Sequence, residues 1–217
     1  MNILKMQSQV AAPQVINAEI HEDKIVLVAE NRLKQLNEIK KSSLNGQLHI
    51  VEISERRARI MMNIANAWQR QANEMKASPQ NIKHVEILGD SNAMGVLVAD
   101  QFKHLSSIYE YYGCFDNNNM LQGIIILNPT LVPDELIVSY LVGNPENIRC
   151  PSNSKNGQIS GAGTLLMDFA IERAAKLGKA KISLSPSPTS KAFYMERLGF
   201  SLVQDDDGEE FLEKSIV

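Results

Sequence analysis

Two closely spaced glycines can open main-chain amides to an anion. Gly161 and Gly163 lie in the run Gln-Ile-Ser-Gly-Ala-Gly at residues 158–163, which leads into a stretch with apolar residues at helical spacing. The amides of a first helical turn lack intrahelical partners and carry the positive end of the helix dipole. Glycine leaves room for a phosphate to reach them, because no Cβ intrudes. The run is typical of a diphosphate site, although a tight turn alone would use the same residues.

Two other phosphate-binding motifs fit the sequence less well. A dinucleotide-binding fingerprint requires a further small residue three positions after Gly163, where Leu166 stands, and a strand that runs directly into the loop. A Walker motif requires Gly-Lys-Ser or Gly-Lys-Thr, and the chain has neither. Both nucleotide interpretations are therefore weakened.

A second segment, which follows a predicted strand at residues 180–185, carries a phenol at Tyr194. Ser187 suits a helix N-cap, Pro188 the first helical position and Gly199 the residue past the helix end. The sequence thus predicts one short helix here, with a tyrosine that could transfer a proton.

In this order, the two segments resemble the GNAT acyltransferase superfamily. Its members carry a Gln/Arg-x-x-Gly-x-Gly/Ala loop after the fourth strand, and Gln158, Gly161 and Gly163 occupy all three specified positions. They also carry a helix that ends in Tyr-x-x-x-Gly-Phe. Tyr194 and Gly199-Phe200 match this motif with one additional residue between Tyr and Gly.

The resemblance covers about residues 107–202 and implies an α/β fold. Its centre would be a twisted, mixed and mostly antiparallel sheet that splays after its fourth strand, with helices on both faces. Acetyl-CoA, the implied cosubstrate, would wedge into the gap with its pantetheine arm along the strand and its pyrophosphate on the glycine loop. The implied cofactor-binding residues are Tyr140, Leu141, Val142, Gln158, Ile159, Ser160, Gly161, Ala162, Gly163 and Thr164, and no metal ligand is implied.

The same resemblance implies the chemistry. An acetyl group would pass from acetyl-CoA to a primary amine by direct attack in a ternary complex, with Tyr194 as general acid for the departing thiolate. Glu110, Asp134 and Glu135 are candidate bases, and each could equally be a surface carboxylate. Tyr194 could instead pack in a core. The alternative function is a non-catalytic acyl-CoA sensor or interaction module on the same fold.

Two features depart from the family pattern. Val142 and Gln158 are 16 positions apart, where members commonly have a handful of residues. Arg149 or Lys155 could reach a phosphate from this polar insertion or remain solvated. The second departure is Ser187, where many members have Asn, and both residues cap helices well.

Hydrophobic patterning predicts the elements that must position these segments. Residues 1–45 would form an N-terminal extension with a strand and a marginal helix, and residues 46–217 one GNAT-like domain. The first elements predicted within that domain are a strand at 48–53 and a helix that begins at Ser54 and ends at Ser78-Pro79. The apolar stripe of this helix consists of Ala58, Met61, Ala65, Trp68, Ala72 and Met75. The remaining predicted elements are a short strand at 84–88, a helix or strand within 92–104, a hairpin of strands at 108–115 and 120–127, a loop between Pro129 and Pro133, a strand at 135–142, and a helix after Gly163 that ends before Gly178.

Composition narrows the class of partners. The formal net charge is −3, from 22 basic and 25 acidic side chains, so no nucleic-acid partner is expected. No run approaches the roughly 18 apolar residues of a membrane span, and the first residues lead us to expect no secretory signal. Cys114 and Cys150 are interpreted as free thiols in a reducing compartment. We therefore expect a cytoplasmic protein that contacts no membrane. The sequence does not decide between a monomer and a homodimer.

The amine acceptor, a small molecule or a protein, is not identified by the sequence. The mild acidity of the chain gives only a slight bias towards a cationic amine. The helix at residues 54–77 and the aromatic residues of the hairpin could wall the acceptor side, and core packing would explain them equally well. These aromatic residues are Tyr109, Tyr111, Tyr112 and Phe115.

Overall fold

The computed structural model describes residues 48–148, 160–205 and 207–216. Within them, seven strands form one sheet in the order β1-β2-β3-β4-β5-β7-β6. The strands are β1 (Leu48–Glu52), β2 (Glu110–Asp116), β3 (Leu121–Val132), β4 (Glu135–Gly143), β5 (Lys181–Leu184), β6 (Ser201–Gln204) and β7 (Glu210–Ser215). All neighbouring strands are antiparallel except β4 and β5, which are parallel. The sheet is therefore mixed and mostly antiparallel, as predicted. The predicted extension at 1–45 lies outside the described residues.

Three long helices accompany these strands. They are α1 (Glu55–Ala77), α2 (Val85–Lys103) and α3 (Ala162–Lys176), and a short π-helical segment (Phe193–Arg197) precedes β6. The six residues predicted to form the apolar stripe of α1 are the six residues that α1 buries. This helix ends directly before Ser78-Pro79, because the residue before a proline is disfavoured in the helical region.

The helices cover opposite faces of the sheet. Tyr111 of β2 packs in one core with side chains of α1 and α2. The next residue, Tyr112, makes an edge-to-face contact with Phe169 of α3, with ring centroids 4.5 Å apart. Because successive strand residues point to opposite faces, α1 and α2 lie on one face and α3 on the other. The predicted α/β fold with helices on both faces is confirmed.

The predicted strand at residues 84–88 is wrong, because α2 begins at Val85. For residues 92–104, where the sequence allowed a helix or a strand, the structure has this same helix. Leu88, Val98 and Phe102 are buried at helical spacing along it. An alternation over five residues is too short to separate a strand from one turn of a buried helix, and here the longer helical period decides.

The predicted hairpin is present, but β3 is longer than expected. Asp116 caps the turn, since its Oδ1 accepts hydrogen bonds from the main-chain amides of Asn118 and Met120. Instead of a loop after Pro129, β3 continues to Val132 with an irregularity in its pairing with β4. The buried side chain of Asn128 accepts hydrogen bonds from the main-chain amides of Thr130 and Leu131 in this irregular stretch. These bonds replace regular strand pairing around Pro129, which has no amide hydrogen to donate.

Gly95 of α2 allows close packing against α1. A Cβ at this position would lie 3.0 Å from Gln69 Cβ and 3.2 Å from Gln69 Cα and N. Gly95→Ala should therefore lower the free energy of unfolding by about 1–3 kcal/mol in urea titrations. Gly89→Ala in the same helix is the control. Its Cβ would meet only the flexible Lys76 Nζ at 3.6 Å, so it should gain up to about 1 kcal/mol. Equal effects of the two changes would contradict this packing.

Candidate active site

The strand β4 pairs with β5 over only three residues. Residues 135–137 lie opposite residues 181–183. On its other side, β4 stays paired with β3 as far as Gly143. Because β5 ends at Leu184, no described strand pairs with the β5-facing side of residues 138–143. The predicted splay after the fourth strand is therefore confirmed.

A β-bulge lies at the start of this gap. Tyr140 opposes Ile126, and Val138 opposes the next residue, Leu127. Ser139 is therefore an additional residue in β4. A bulge bends its strand and redirects main-chain groups, and bulges are frequent beside active sites. The sequence contains no local signal for this bulge, and Ser139 was not among the predicted site residues.

The helix α3 begins at the predicted glycine loop. Gly161 is its N-cap, with a φ of +96° that favours glycine. The first intrahelical bond runs from Leu165 N to Gly161 O at 2.9 Å. The amides of Ala162, Gly163 and Thr164 make no hydrogen bond to another described residue, and no side chain caps the helix. These three amides are therefore available to an anion. Of the other predicted loop residues, Ser160 is exposed, and Gln158 and Ile159 lie outside the described residues.

The first turn of α3 packs beside the open end of β4. A Cβ on Gly123 of β3 would lie 3.3 Å from the Val142 carbonyl oxygen and 3.7 Å from Ala162 Cβ. The same Cβ would lie 2.9 Å from Leu166 Cδ1. Gly123 therefore lets α3 approach the sheet at this point. The structure brings together the two described parts of the predicted cofactor site, residues 140–142 and residues 161–164.

Tyr194 lies in the segment that follows β5. Its ring is buried and contacts Phe193 and Phe200, with centroid distances of 5.1 and 6.0 Å. Burial raises the pKa of Tyr194 to about 12. Its hydroxyl makes no hydrogen bond within the described part of the chain. Tyr194 therefore remains a neutral phenol with a donor free for a ligand.

The additional residue between Tyr194 and Gly199 is accommodated by a π-helical turn. The segment Phe193–Arg197 is π-helical, so its turn contains one residue more than an α-helical turn. Gly199 has a φ of +68° and ends the segment as predicted. The helix itself is shorter than expected from Ser187, because residues 188–190 form a turn. Side-chain contacts fix the segment, with Thr189 Oγ1 donating to Asp90 of α2.

Glu110 is held by two neighbouring side chains. Arg173 of α3 donates to both of its carboxylate oxygens, from Nε at 2.9 Å and from a terminal nitrogen at 2.5 Å. The Tyr112 hydroxyl also donates to Glu110, at 3.1 Å. The hydrogen bond to Glu110 raises the pKa of Arg173 above its already high value. This geometry fits a clamp between α3 and the sheet better than a base that must accept a proton.

Glu135 opposes Lys181 at the first of the three paired positions of β4 and β5. Its side chain is buried, and Oε1 accepts a hydrogen bond from Ser183 Oγ. Lys181 Nζ is 3.6 Å from Oε2. The neighbouring Asp134 is exposed, and its main-chain oxygen accepts the amide of Ala180 at 2.8 Å. Of the three predicted base candidates, Glu135 is the one that lies on β4, and its carboxylate reaches Ser183 at the last position where β4 pairs with β5.

Strand register divides this part of the sheet into a polar and an apolar face. The face that α3 contacts carries buried Leu136, Ile182, Leu184 and Leu212. The other face is more polar and carries Glu135 together with Lys181, Ser183, Ser201, Glu213 and Ser215, besides the apolar Ile137, Val203 and Phe211. An open cavity lies at β6 and β7 and is lined by Gly199, Ser201, Glu213, Lys214 and Ser215, with no residue of β4 or β5 among them. Tyr111 and Tyr112 are buried in packed contacts and do not line it.

The described residues contain no cluster of three or more metal-ligating side chains. Among the same residues, no helix is long and apolar enough to cross a bilayer.

Comparison with known proteins finds similarity to solved structures. Neither a protein-family profile nor a curated protein matches the sequence. The chain is similar to PaiA N-acetyltransferase from Thermoplasma acidophilum in complex with coenzyme A, with 16% identity, 77% of this chain and 98% of that chain covered, and a TM-score of 0.49. It is also similar to a GNAT-family acetyltransferase from Staphylococcus aureus, with 14% identity, 78% of this chain and 99% of that chain covered, and a TM-score of 0.49. Its similarity to Tetrahymena GCN5 has 15% identity, covers 76% of this chain and 91% of that chain, and gives a TM-score of 0.48. These values assign no activity, so a functional proposal must rest on the geometry of this chain.

A Glu110→Gln substitution separates the clamp from a catalytic base. Loss of the charge-assisted bonds to Arg173 should lower the free energy of unfolding by about 1–2 kcal/mol. The exposed Asp134→Asn is the matched control and should be neutral within about 0.5 kcal/mol. Denaturant titration measures both. A Glu110→Gln protein as stable as the wild type would contradict the clamp.

Proposed function

We propose that the chain is a GNAT-type N-acyltransferase that moves an acetyl group from acetyl-CoA to a primary amine by direct attack in a ternary complex. The observation that carries this proposal is the edge of β4 that no described strand pairs, which lies beside three amides at the start of α3 that have no partner among the described residues. An extended ligand with its own amides suits the first feature, and a diphosphate suits the second. The pantetheine arm and pyrophosphate of CoA combine these two properties.

The proposed binding mode uses main-chain groups. The pantetheine amides pair with residues 140–142, in the place where a neighbouring strand would lie. The pyrophosphate rests on the amides of residues 162–164, at the positive end of the α3 dipole. The thioester then lies near the bulge at Ser139. A main-chain amide there can donate to the carbonyl oxygen and stabilise the negative charge that develops as the amine attacks.

In this proposal, Tyr194 stabilises the departing sulfur. A thiol has an ordinary pKa of about 8.5, well below the value of about 12 to which burial raises the pKa of Tyr194. Complete transfer of the phenolic proton to a thiolate would therefore be uphill. Tyr194 acts mainly as a hydrogen-bond donor to the developing thiolate, and the final proton arrives as CoA departs.

The proposed base is Glu135, because the attacking nitrogen must lose a proton as it becomes an amide. Arg173 donates hydrogen bonds to both oxygens of Glu110, whereas one oxygen of Glu135 accepts a hydrogen bond from Ser183 and Lys181 Nζ lies 3.6 Å from the other, which supports this role for Glu135. The acceptor, a small molecule or a protein segment with a primary amine, approaches over the polar face. We further propose a cytoplasmic site of action.

A Gly163→Asp substitution tests the diphosphate site. A Cβ at Gly163 would meet nothing within 4 Å, and a carboxylate in a first helical turn interacts favourably with the dipole. The variant should therefore be as stable as the wild type or about 0.5–1 kcal/mol more stable. Its affinity for CoA in calorimetry should fall at least about tenfold, because two anions would compete for the same amides. Gly163→Asn, of similar shape and no charge, is the control for the lost space, and it should bind CoA more tightly than the Asp variant. Wild-type affinity in the Asp variant would contradict the proposed site.

A Tyr194→Phe substitution tests catalysis and separates an enzyme from a sensor. The value of kcat should fall about 10²–10³-fold, as for other lost transition-state donors. Stability should change by less than about 0.5 kcal/mol, because the hydroxyl has no partner among the described residues. Tyr109→Phe should keep full activity.

The measurement is CoA release with a panel of primary amines. If the wild-type protein binds acetyl-CoA but releases no CoA with any amine, the proposal of catalysis fails and the sensor is favoured.

A further inference from the structure

Ser183 is a polar residue in a buried strand position. It lies on β5, whose neighbouring residues Ile182 and Leu184 are buried and apolar. Ser183 itself is 5% exposed and donates its hydroxyl hydrogen bond to Glu135 Oε1. Burying a hydroxyl is unfavourable unless it is hydrogen-bonded, so this position is specified by its partner.

The second oxygen of Glu135 faces a different partner. Lys181 Nζ lies 3.6 Å from Glu135 Oε2 and 2.9 Å from Glu213 Oε2. The hydrogen bond to Glu213 and the nearby charge of Glu135 raise the pKa of Lys181. One oxygen of Glu135 is therefore held by a neutral hydroxyl and the other by an ammonium. This arrangement fixes the plane of the carboxylate and leaves lone pairs on both oxygens free.

Ser183 lies at the last paired position before the gap, and Glu135 lies on β4 two residues before that position. Ser183 opposes Ile137, the final residue of β4 that pairs with β5. Beyond it, β4 enters the bulge at Ser139. The hydrogen bond to Ser183 therefore brings the Glu135 carboxylate to the end of the paired region, next to the point where, in the proposed function, the thioester and the amine meet.

We propose that Ser183 is a positioning residue, which orients the Glu135 carboxylate towards the attacking amine; this inference rests on the proposed function. In the step it serves, the amine nitrogen forms a bond to the thioester carbon and the carbon–sulfur bond breaks. The proton of the nitrogen passes to a free lone pair of Glu135, and the electron pair leaves with the CoA sulfur. The Ser183 hydroxyl keeps its own proton and acts only through Glu135.

A double-mutant cycle tests this role in the full-length protein. With acetyl-CoA and a primary amine that the wild type accepts, Ser183→Ala should lower kcat roughly tenfold and leave KM for acetyl-CoA unchanged. Ser183→Thr keeps the hydroxyl and should recover kcat to within about threefold of the wild type. In a Glu135→Gln background, Ser183→Ala should change kcat by less than about twofold, because the group through which it acts is gone.

Three outcomes would overturn the inference. They are an unchanged kcat in Ser183→Ala, an equal loss in both backgrounds, and no recovery in Ser183→Thr. If Ser183→Ala does not fold, Ser183→Cys takes its place with the same expectation, since a thiol is a weak donor of similar size. A wild-type protein that binds CoA without turnover with any amine would overturn the proposed function and this inference with it, whereas turnover with an additive cycle would overturn the inference alone.

Discussion

The main-chain groups of β4 beyond Ile137 need hydrogen-bond partners that β5 does not supply. Folded proteins rarely leave such groups unsatisfied, and an open strand edge invites another extended chain. Here the edge lies inside the sheet, between β4 and the segment that follows β5. This position protects it from pairing with a second protein and favours a narrow extended ligand. The proposed use of the gap by a pantetheine arm follows from this constraint.

The other parts of the site are arranged around that edge. Gly123 lets α3 pack against the sheet beside Val142, which places three free amides at one end of the gap. The chain leaves β5 after Leu184 and carries a neutral Tyr194 in the following segment. At the other end lie the paired residues of β4 with Glu135, whose carboxylate is hydrogen-bonded to Ser183 at the last paired position. Glu110 and Arg173 hold α3 to β2, so they support the site without taking part in the proposed reaction.

The sequence predicted those features that depend on local or periodic patterns. The apolar stripe of α1 could be predicted because a buried helix face repeats apolar residues at helical spacing. The glycine that caps α3 could be predicted because a positive φ favours glycine. The partners of the two carboxylates could not be predicted, because contacts between residues far apart in the sequence leave no local pattern. Glu110 and Arg173 are 63 positions apart, and Glu135 and Ser183 are 48 positions apart. The bulge at Ser139 depends on the pairing of two strands and has no residue signature. The strand predicted at residues 84–88 was wrong, because a short alternation also fits a buried helix.

Hydrogen exchange of the main-chain amides, with and without acetyl-CoA, tests the central claim most directly. If the cofactor's arm pairs with β4, saturating acetyl-CoA should slow exchange at residues 138–143 and at residues 162–164. Residues 135–137, which β5 already pairs, should change little. If saturating acetyl-CoA leaves exchange at residues 138–143 unchanged, the gap is not the place where the cofactor binds, and the account would be contradicted.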